Sequence, residues 1–300
     1  MSGRILRQTG LADNGDRWDH QWENGAGNAG ALSYGYIDAN SDEGYASYRN
    51  YVDANGVFYR QTGVYDNGDS WDYAYADGGA RYITKTEIDS NGDATWARQT
   101  SYYTADGQRV YQLNQLNDDG TREETYYEQN NQWAGWSDHT NYFDVSGRIL
   151  HQTGLADNGD RWDVQWENGA GNAGAYTDGY IDANNDEWYA SFRNYVDATG
   201  QKITQQTGTL DNGDTWQWIW ENGYGNAGTS ERIDWDTSGT KPWWHQVADY
   251  NAANQLSRFE TYYDDNTKVI DNFSNDANAG WTKRTDLYSA AGALTSQTYT

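Results

Sequence analysis

Three stretches of the chain place oxygen ligands at positions 1, 3 and 5 of a calcium-type loop: Asp38-x-Asn40-x-Asp42, Asp89-x-Asn91-x-Asp93 and Asp182-x-Asn184-x-Asp186. Carboxylate and amide oxygens so spaced suit a hard divalent cation, and calcium is the one cofactor that the pattern admits. The Glu that closes an EF-hand at position 12 is missing, since Arg49 and Arg193 stand there in the first and third stretches. The plainer reading is that Asp, Asn and Gly make hairpin turns, their usual role. A second group of candidates is aromatic. Trp18 and Trp22, Trp71 with Tyr73 and Tyr75, Trp162 and Trp166, and Trp216 with Trp218 and Trp220 each alternate along a strand-like stretch. Such rows can stack on the apolar faces of sugars while neighbouring Asp and Asn bind hydroxyls. In a chain with few aliphatics the same rings must also build the core, which is their expected main role.

Catalysis finds little support. Carboxylate pairs recur with one turn, as Asp13/Asp16, Asp66/Asp69, Asp157/Asp160 and Asp211/Asp214, so no pair stands out as acid and base. None of the four histidines is kept between the two copies of the repeat described below: His20 meets Val164, His151 meets Arg7, His245 meets Arg98 and His139 meets Arg284. Metalloprotease, nucleophile-elbow and P-loop motifs are absent. The chain is expected not to be an enzyme. Gly25–Gly30, Gly169–Gly174 and Gly223–Gly228 each fit GxGxxG, but a dinucleotide site needs a helix after that loop. ALSYGYIDAN follows the first copy without a helical period, so a structural loop is expected.

These candidates need a scaffold, and composition limits which one. Leu, Ile, Val and Phe make only 35 of the 300 residues, a proportion at which strongly charged chains usually stay disordered. Against disorder stand 16 Trp and 26 Tyr, since each large ring buries about 150–250 Å². A folded protein with an aromatic core follows. With 45 acidic and 20 basic residues the net charge is −25, which repels nucleic acid and anionic lipid. No run of about 18 apolar residues exists, so membrane insertion is not expected. The absence of cysteine excludes disulfides and thiolate metal sites.

Repetition decides the architecture. Residues 2–31 recur at 146–175 with only two differences, Arg7/His151 and His20/Val164. The chain reads as a first superrepeat over 1–145, a second over 146–290, and the opening strand of a third over 291–300, where AGALTSQT echoes SGRILRQT. Smaller units lie near 3–55, 56–106 and 107–146, then near 147–199, 200–253 and 254–290. The expectation is a segment of a longer array. Turn signals such as DNG 13–15, DANG 53–56, DNG 66–68 and QNN 129–131 come roughly every 13 residues, which suits a strand and a tight turn. Type I′ hairpin turns are expected at the Asn-Gly and Asp-Gly pairs. This beat predicts eleven strands per superrepeat, an odd number that suggests a crossover connection. Alternation after each DNG turn predicts one aromatic face and one polar face.

The stretches YFDVSGRILHQTGLADNGDRWDVQW (142–166), YVDANGVFYRQTGVYDNGDSWDYAY (51–75) and YNAANQLSRFETYYDDN (250–266) share an aromatic-Asp-turn pattern followed by an Asp-Gly turn and an aromatic strand. This resembles the YD repeats of bacterial RHS-type proteins, above all their degenerate versions in large secreted proteins. The resemblance covers nearly the whole chain through a short, turn-dominated motif. It implies a long twisted array of β-hairpins, in some members closed into a shell around a toxin. The extra strands and scarce Arg of this chain depart from that pattern. A second motif, QTG-x-x-DNG-x-x-Trp at Gln8–Trp18, Gln61–Trp71 and Gln206–Trp216, resembles the aromatic repeats of choline- or glucan-binding modules. Those modules hold choline or sugars between adjacent hairpins. Here the TG-to-DNG spacing is shorter and the units are twice as long.

The expected fold is all-β, a repetitive antiparallel β-hairpin array with an aromatic core. A six-bladed β-propeller is the alternative, because units averaging about 48 residues fall in the range of propeller blades. The expected function is a non-catalytic structural or adhesive segment of a large secreted or cell-surface bacterial protein. A carbohydrate-binding module using exposed Trp and Tyr is the alternative, and a shell segment of an RHS-type toxin comes third. Expected partners are glycans or neighbouring repeats of the same parent protein.

Overall fold

In each Asp-Asn-Gly turn only the glycine takes a positive φ, at 99° for Gly15, 98° for Gly68, 98° for Gly159 and 89° for Gly213. The first turn closes with Gly15 N–H donating to Ala12 C=O and Ala12 N–H donating to Asp16 C=O. That is a type I turn followed by a left-handed glycine bulge, a three-residue loop rather than the expected type I′ turn. Asn before the glycine keeps a negative φ because its side chain is used to bond Asp16. A computed structural model of the chain describes residues 3–128, 135–274, 276 and 279–300; the turn expected at QNN 129–131 lies outside them.

Two compact units, Met1–Arg148 and Ile149–Thr300, divide the chain. The first holds β1 (Arg7–Leu11), β2 (Arg17–Trp22), β3 (Leu32–Ile37), β4 (Tyr45–Val52), β5 (Phe58–Tyr65), β6 (Ser70–Ala76), β7 (Arg81–Ile88), β8 (Trp96–Tyr103), β9 (Val110–Asn117), β10 (Arg122–Tyr127) and β11 (Trp136–Phe143). The second holds β12 (Ile149–Ala156), β13 (Arg161–Trp166), β14 (Tyr176–Ile181), β15 (Tyr189–Val196), β16 (Ile203–Leu210), β17 (Thr215–Trp220), β18 (Ser230–Trp235), β19 (Trp243–Tyr250), β20 (Leu256–Tyr263), β21 (Lys268–Phe273), β22 (Lys283–Tyr288) and β23 (Leu294–Tyr299). Among the described residues the only helical element is the single 3₁₀ turn Asp77–Gly79.

Within each unit every described ladder is antiparallel and joins strands consecutive in the chain, as in β1–β2, β2–β3 and β3–β4. The protein is therefore all-β, an open meander of hairpins. Among the described ladders there is no crossover of the kind expected. An odd strand number needs none, because an open sheet imposes no parity and the last strand simply runs in the same sense as the first. The propeller alternative also falls. Blades of four strands would interrupt the ladder between blades, whereas pairing runs without a break from β4–β5 through β8–β9.

Register assigns the faces. Trp18 and Tyr36, then Tyr36 and Tyr48, are cross-strand partners on the aromatic face. Thr9, Asp19, Gly35, Arg49, Thr62 and Asp72 form one continuous row on the other. The aromatic face explains the QTG motif. Gly10, Gly63, Gly154 and Gly208 lie directly opposite Trp18, Trp71, Trp162 and Trp216. A Cβ on any of the four would stand 2.2–2.4 Å from the indole ring. Each tryptophan thus lies flat over a bare stretch of backbone.

The accessible surface is 17421 Å², more than the ~15,000 Å² that two separate compact halves of such a chain would expose. The excess has a simple origin: most side chains are half-covered by strand neighbours and few are covered from above. Val52, Val196, Trp71, Trp216, Ala248 and Ile270 are the buried apolar residues. The most deeply buried side chains among the described residues are three aspartates, Asp16, Asp160 and Asp214.

Candidate metal centres at the turns

The three buried aspartates each end a DNG turn, and each turn docks against the loop two strands further on. Asp16 accepts hydrogen bonds from the Tyr36 hydroxyl at 2.7 Å and the Ala39 N–H at 2.9 Å. Asn40 Nδ2 donates to Asn14 C=O at 3.1 Å, fastening the β3–β4 loop to the β1–β2 turn. The same set recurs around Asp160, with Tyr180 at 2.6 Å, Ala183 at 2.9 Å and Asn184 on Asn158 C=O at 3.3 Å. Around Asp69 it recurs more loosely, through the Ser90 N–H at 3.0 Å and Asn91 on Asn67 C=O at 3.0 Å. These donors stabilise the anion, and they hold Asp16 and Asp160 below the usual carboxylate range, the tyrosine hydroxyl contributing most.

The docking brings together carboxylates that the sequence keeps twenty or more residues apart. Asp16 with Asp38 and Asp42, Asp69 with Asp89 and Asp93, and Asp160 with Asp182 and Asp186 each gather three carboxylates whose oxygens lie within 4.8 Å of one another. The aspartates of the 1-3-5 pattern do converge. Asn40, Asn91 and Asn184 are used differently: each amide donates to the neighbouring turn, while its oxygen accepts the N–H two residues on. The first aspartate of each loop is also engaged, Asp38 accepting from the Ser41 N–H at 2.7 Å and the Glu43 N–H at 2.9 Å. Asp182 repeats this with Asn185 and Glu187, and Asp89 with Gly92 and Ala94. Asp16, Asp69 and Asp160 are the members that sequence reading did not place in a site. The signal was there, since an aspartate follows every DNG.

The fourth copy of the turn pair is different. Asp214 and Asp236 hold the places of Asp160 and Asp182, but Thr240 stands where the third carboxylate would be, and Lys241 follows it. The Lys241 ammonium reaches Asp214 at 2.7 Å. Burial alone would raise the Asp214 carboxyl; the ammonium and Ser238 outweigh it and hold the group well below the usual range. Where one carboxylate is lost, a cation built into the chain pairs with the buried aspartate, and the Lys241 backbone N–H donates to Asp236. The other three clusters carry the extra negative charge with no basic side chain paired to any of the nine carboxylates among the described residues. Three carboxylates at this spacing can hold a hard cation such as calcium, with water or backbone oxygens making up the coordination.

The aromatic candidates lie elsewhere. Trp71 and Trp216 are buried; Trp18, Trp22, Tyr73, Tyr75, Trp162, Trp166, Trp218 and Trp220 are half-buried. Trp218 stacks on Trp220 at 5.8 Å and on Tyr250 at 5.5 Å, with the Arg232 guanidinium over its ring. The Tyr73 hydroxyl bonds Tyr65 and Glu87. Among the described residues the exposed large rings are instead Tyr59, Tyr111, Trp188, Tyr224, Trp244 and Tyr299, which the strand alternation did not single out. The GxGxxG loops are closed by their own asparagines, Asn24 Nδ2 donating to Ala29 C=O and Asn28 Nδ2 to Asn24 C=O. Each leads into a strand, β3, β14 or β18, where a dinucleotide site would need a helix.

No family model matches the chain, and no curated protein matches it. Among solved structures, a crystal structure of a eukaryotic initiation factor is similar at a TM-score of 0.22 and 7% identity, over 98% of this chain and 87% of that one. A likeness at that level carries no argument about fold or function.

Proposed function

We propose that this chain is a non-catalytic structural and adhesive repeat segment of a large secreted or surface-bound bacterial protein. The observation that carries this reading is the unbroken run of nearest-neighbour hairpin ladders, built twice from equivalent residues. Architecture of this kind gains stability strand by strand and can be lengthened by adding units. Use of the chemistry-bearing side chains agrees with it. The turn carboxylates bind neighbouring turns, and the tryptophan rows cover glycines and each other.

Pulling on the intact chain by its two ends tests the mechanical part. Two resisted unfolding events are expected, each releasing roughly 50 nm, the extended length of about 150 residues. Extension without resisted events would overturn it. For location, antibodies against the chain should stain intact cells of the native host. Staining only after permeabilisation would overturn the surface assignment.

A further inference from the structure

The polar face of the first unit carries a trough of about 880 Å³ crossing β1 to β7. A smaller one of about 490 Å³ crosses β13 to β18 in the second unit, at equivalent residues. Both have the same floor. Asp19, Gly35 and Arg49 are cross-strand neighbours, and Arg49 donates to Asp19 at 2.6 Å and to Ser33 Oγ at 3.0 Å. Asp163, Gly179 and Arg193 repeat this, with Thr177 in the place of Ser33 and the same two distances. A Cβ at Gly179 would stand 2.5 Å from Asp163 and 2.8 Å from the Arg193 guanidinium, so glycine lets the fork lie flat along the sheet.

Charge on this face runs against that of the chain. In a protein of net charge −25, Arg7, Arg17 and Arg49 line the first trough against Asp19 and Asp72, and Arg60 neutralises Asp72 from beside it. Arg7 and Arg49 share the single carboxylate of Asp19. Arg17 is exposed and forms no ion pair among the described residues. The next cross-strand row is aliphatic at Leu11, Ile37, Val64 and Ile88, with Arg17 and two serines standing between them. Leu11, Ile37 and Ile88 are 69%, 51% and 37% exposed. Guanidinium forks recognise carboxylates bidentately, and an aliphatic row beside them suits the C–H faces of sugar rings. An extended peptide fits less well, because the backbone under the trough is already spent on the ladders and a peptide would leave its own N–H and C=O groups unpaired.

We propose that the trough binds an acidic polysaccharide, with its carboxylates on the arginine forks and its rings along the aliphatic row. This rests on the adhesive reading above and names the ligand class. The second unit, with His151 in place of Arg7 and a smaller trough, is the weaker of the two sites.

Calorimetric titration of the intact chain in chelator, with a hexamer of galacturonic acid and with maltohexaose, tests the proposal. The acidic hexamer should bind at least roughly tenfold more tightly than the neutral one, and its affinity should fall as salt is raised. Arg17→Gln alters an exposed, unpaired side chain, so the fold is kept, and affinity should drop severalfold. Arg49→Gln should lose more, with circular dichroism reporting whether the sheet persists. Four results would each overturn the proposal: no heat up to about 10 mM acidic hexamer, equal binding of the neutral sugar, unchanged affinity in Arg17→Gln, or equal binding of a glutamate hexapeptide. If the acidic hexamer fails while the two pulling events persist, only the ligand assignment is lost; if both fail, so is the array reading.

Discussion

The clearest chemistry in the molecule is the treatment of the aspartate after the turn glycine in four turn environments. Three copies surround it with two further carboxylates, and the fourth gives it a lysine. A thermal melt in chelator, repeated with millimolar calcium and with magnesium as control, should show a calcium-specific rise in midpoint, since a ligand that binds only the folded state stabilises it. Native mass spectrometry should then count three ions per chain. Replacing Thr240 by Asp together with Lys241 by Glu should raise the count to four; three in both proteins would refute the equivalence of the turns. Titration supplies a second test at this scale. Glu231 lies opposite Asp249 on β18 and β19; burial and then the facing Asp249 carboxylate raise Glu231, while burial raises Asp249 against the pull of Arg258, with Glu260 adding to the rise. A raised folded value contributes stability below the unfolded value and loses it as pH rises through the folded one. Asp16 and Asp160 have the opposite sign, so their contribution is lost as acid lowers the pH through their folded values. Glu231→Gln should therefore raise the neutral-pH midpoint by about 1–2 °C and have less effect near pH 4. An equal effect at both pH values would count against a repulsive pair.

At the scale of the element, the hairpin is a matched pair of glycine and tryptophan. Gly63 faces Trp71 across the β5–β6 ladder, and a methyl group there would meet the ring at 2.2 Å. Gly63→Ala should cost about 1–3 kcal/mol through overpacking, read as a lower denaturation midpoint. Combining it with Trp71→Phe, which frees space, should recover part of that loss, so that the two changes are clearly non-additive. Additive losses would mean that the ring does not rest on Gly63. The bulges in β4–β5 recur in β15–β16 at matching positions. They show that the repeat preserves the local bend as well as the residue types.

For the whole molecule, contact is almost entirely between adjacent strands, so damage should stay local. Hydrogen exchange read by mass spectrometry on the Gly63→Ala protein should speed up in β4 to β7 and stay unchanged in the equivalent strands β15 to β18. Uniform acceleration across both units would instead indicate a single cooperative domain.

Strand identity, strand number and the alternation of faces were legible in the sequence, because period-2 patterning and Gly-marked turns are local properties of the chain. The order of pairing was misread as needing a crossover, since an odd count constrains a closed sheet and not an open one. The turn type was also misread, because DNG admits both a two-residue and a three-residue loop, and the bond from Asn14 to Asp16 selects the second. Two of the three carboxylates of each cluster were visible as Asp-x-Asn-x-Asp. Asp16, Asp69 and Asp160 were not assigned to it, since only the meander sets the turn of one hairpin beside that of the next. The same holds for the polar trough: Arg17, Arg49 and Ile37 are scattered in sequence, and cross-strand register gathers them on one face. Local pattern thus determined what each strand and turn is, while pairing in three dimensions decided which charges meet, because a carboxylate's neighbours are set by distance in space and not along the chain.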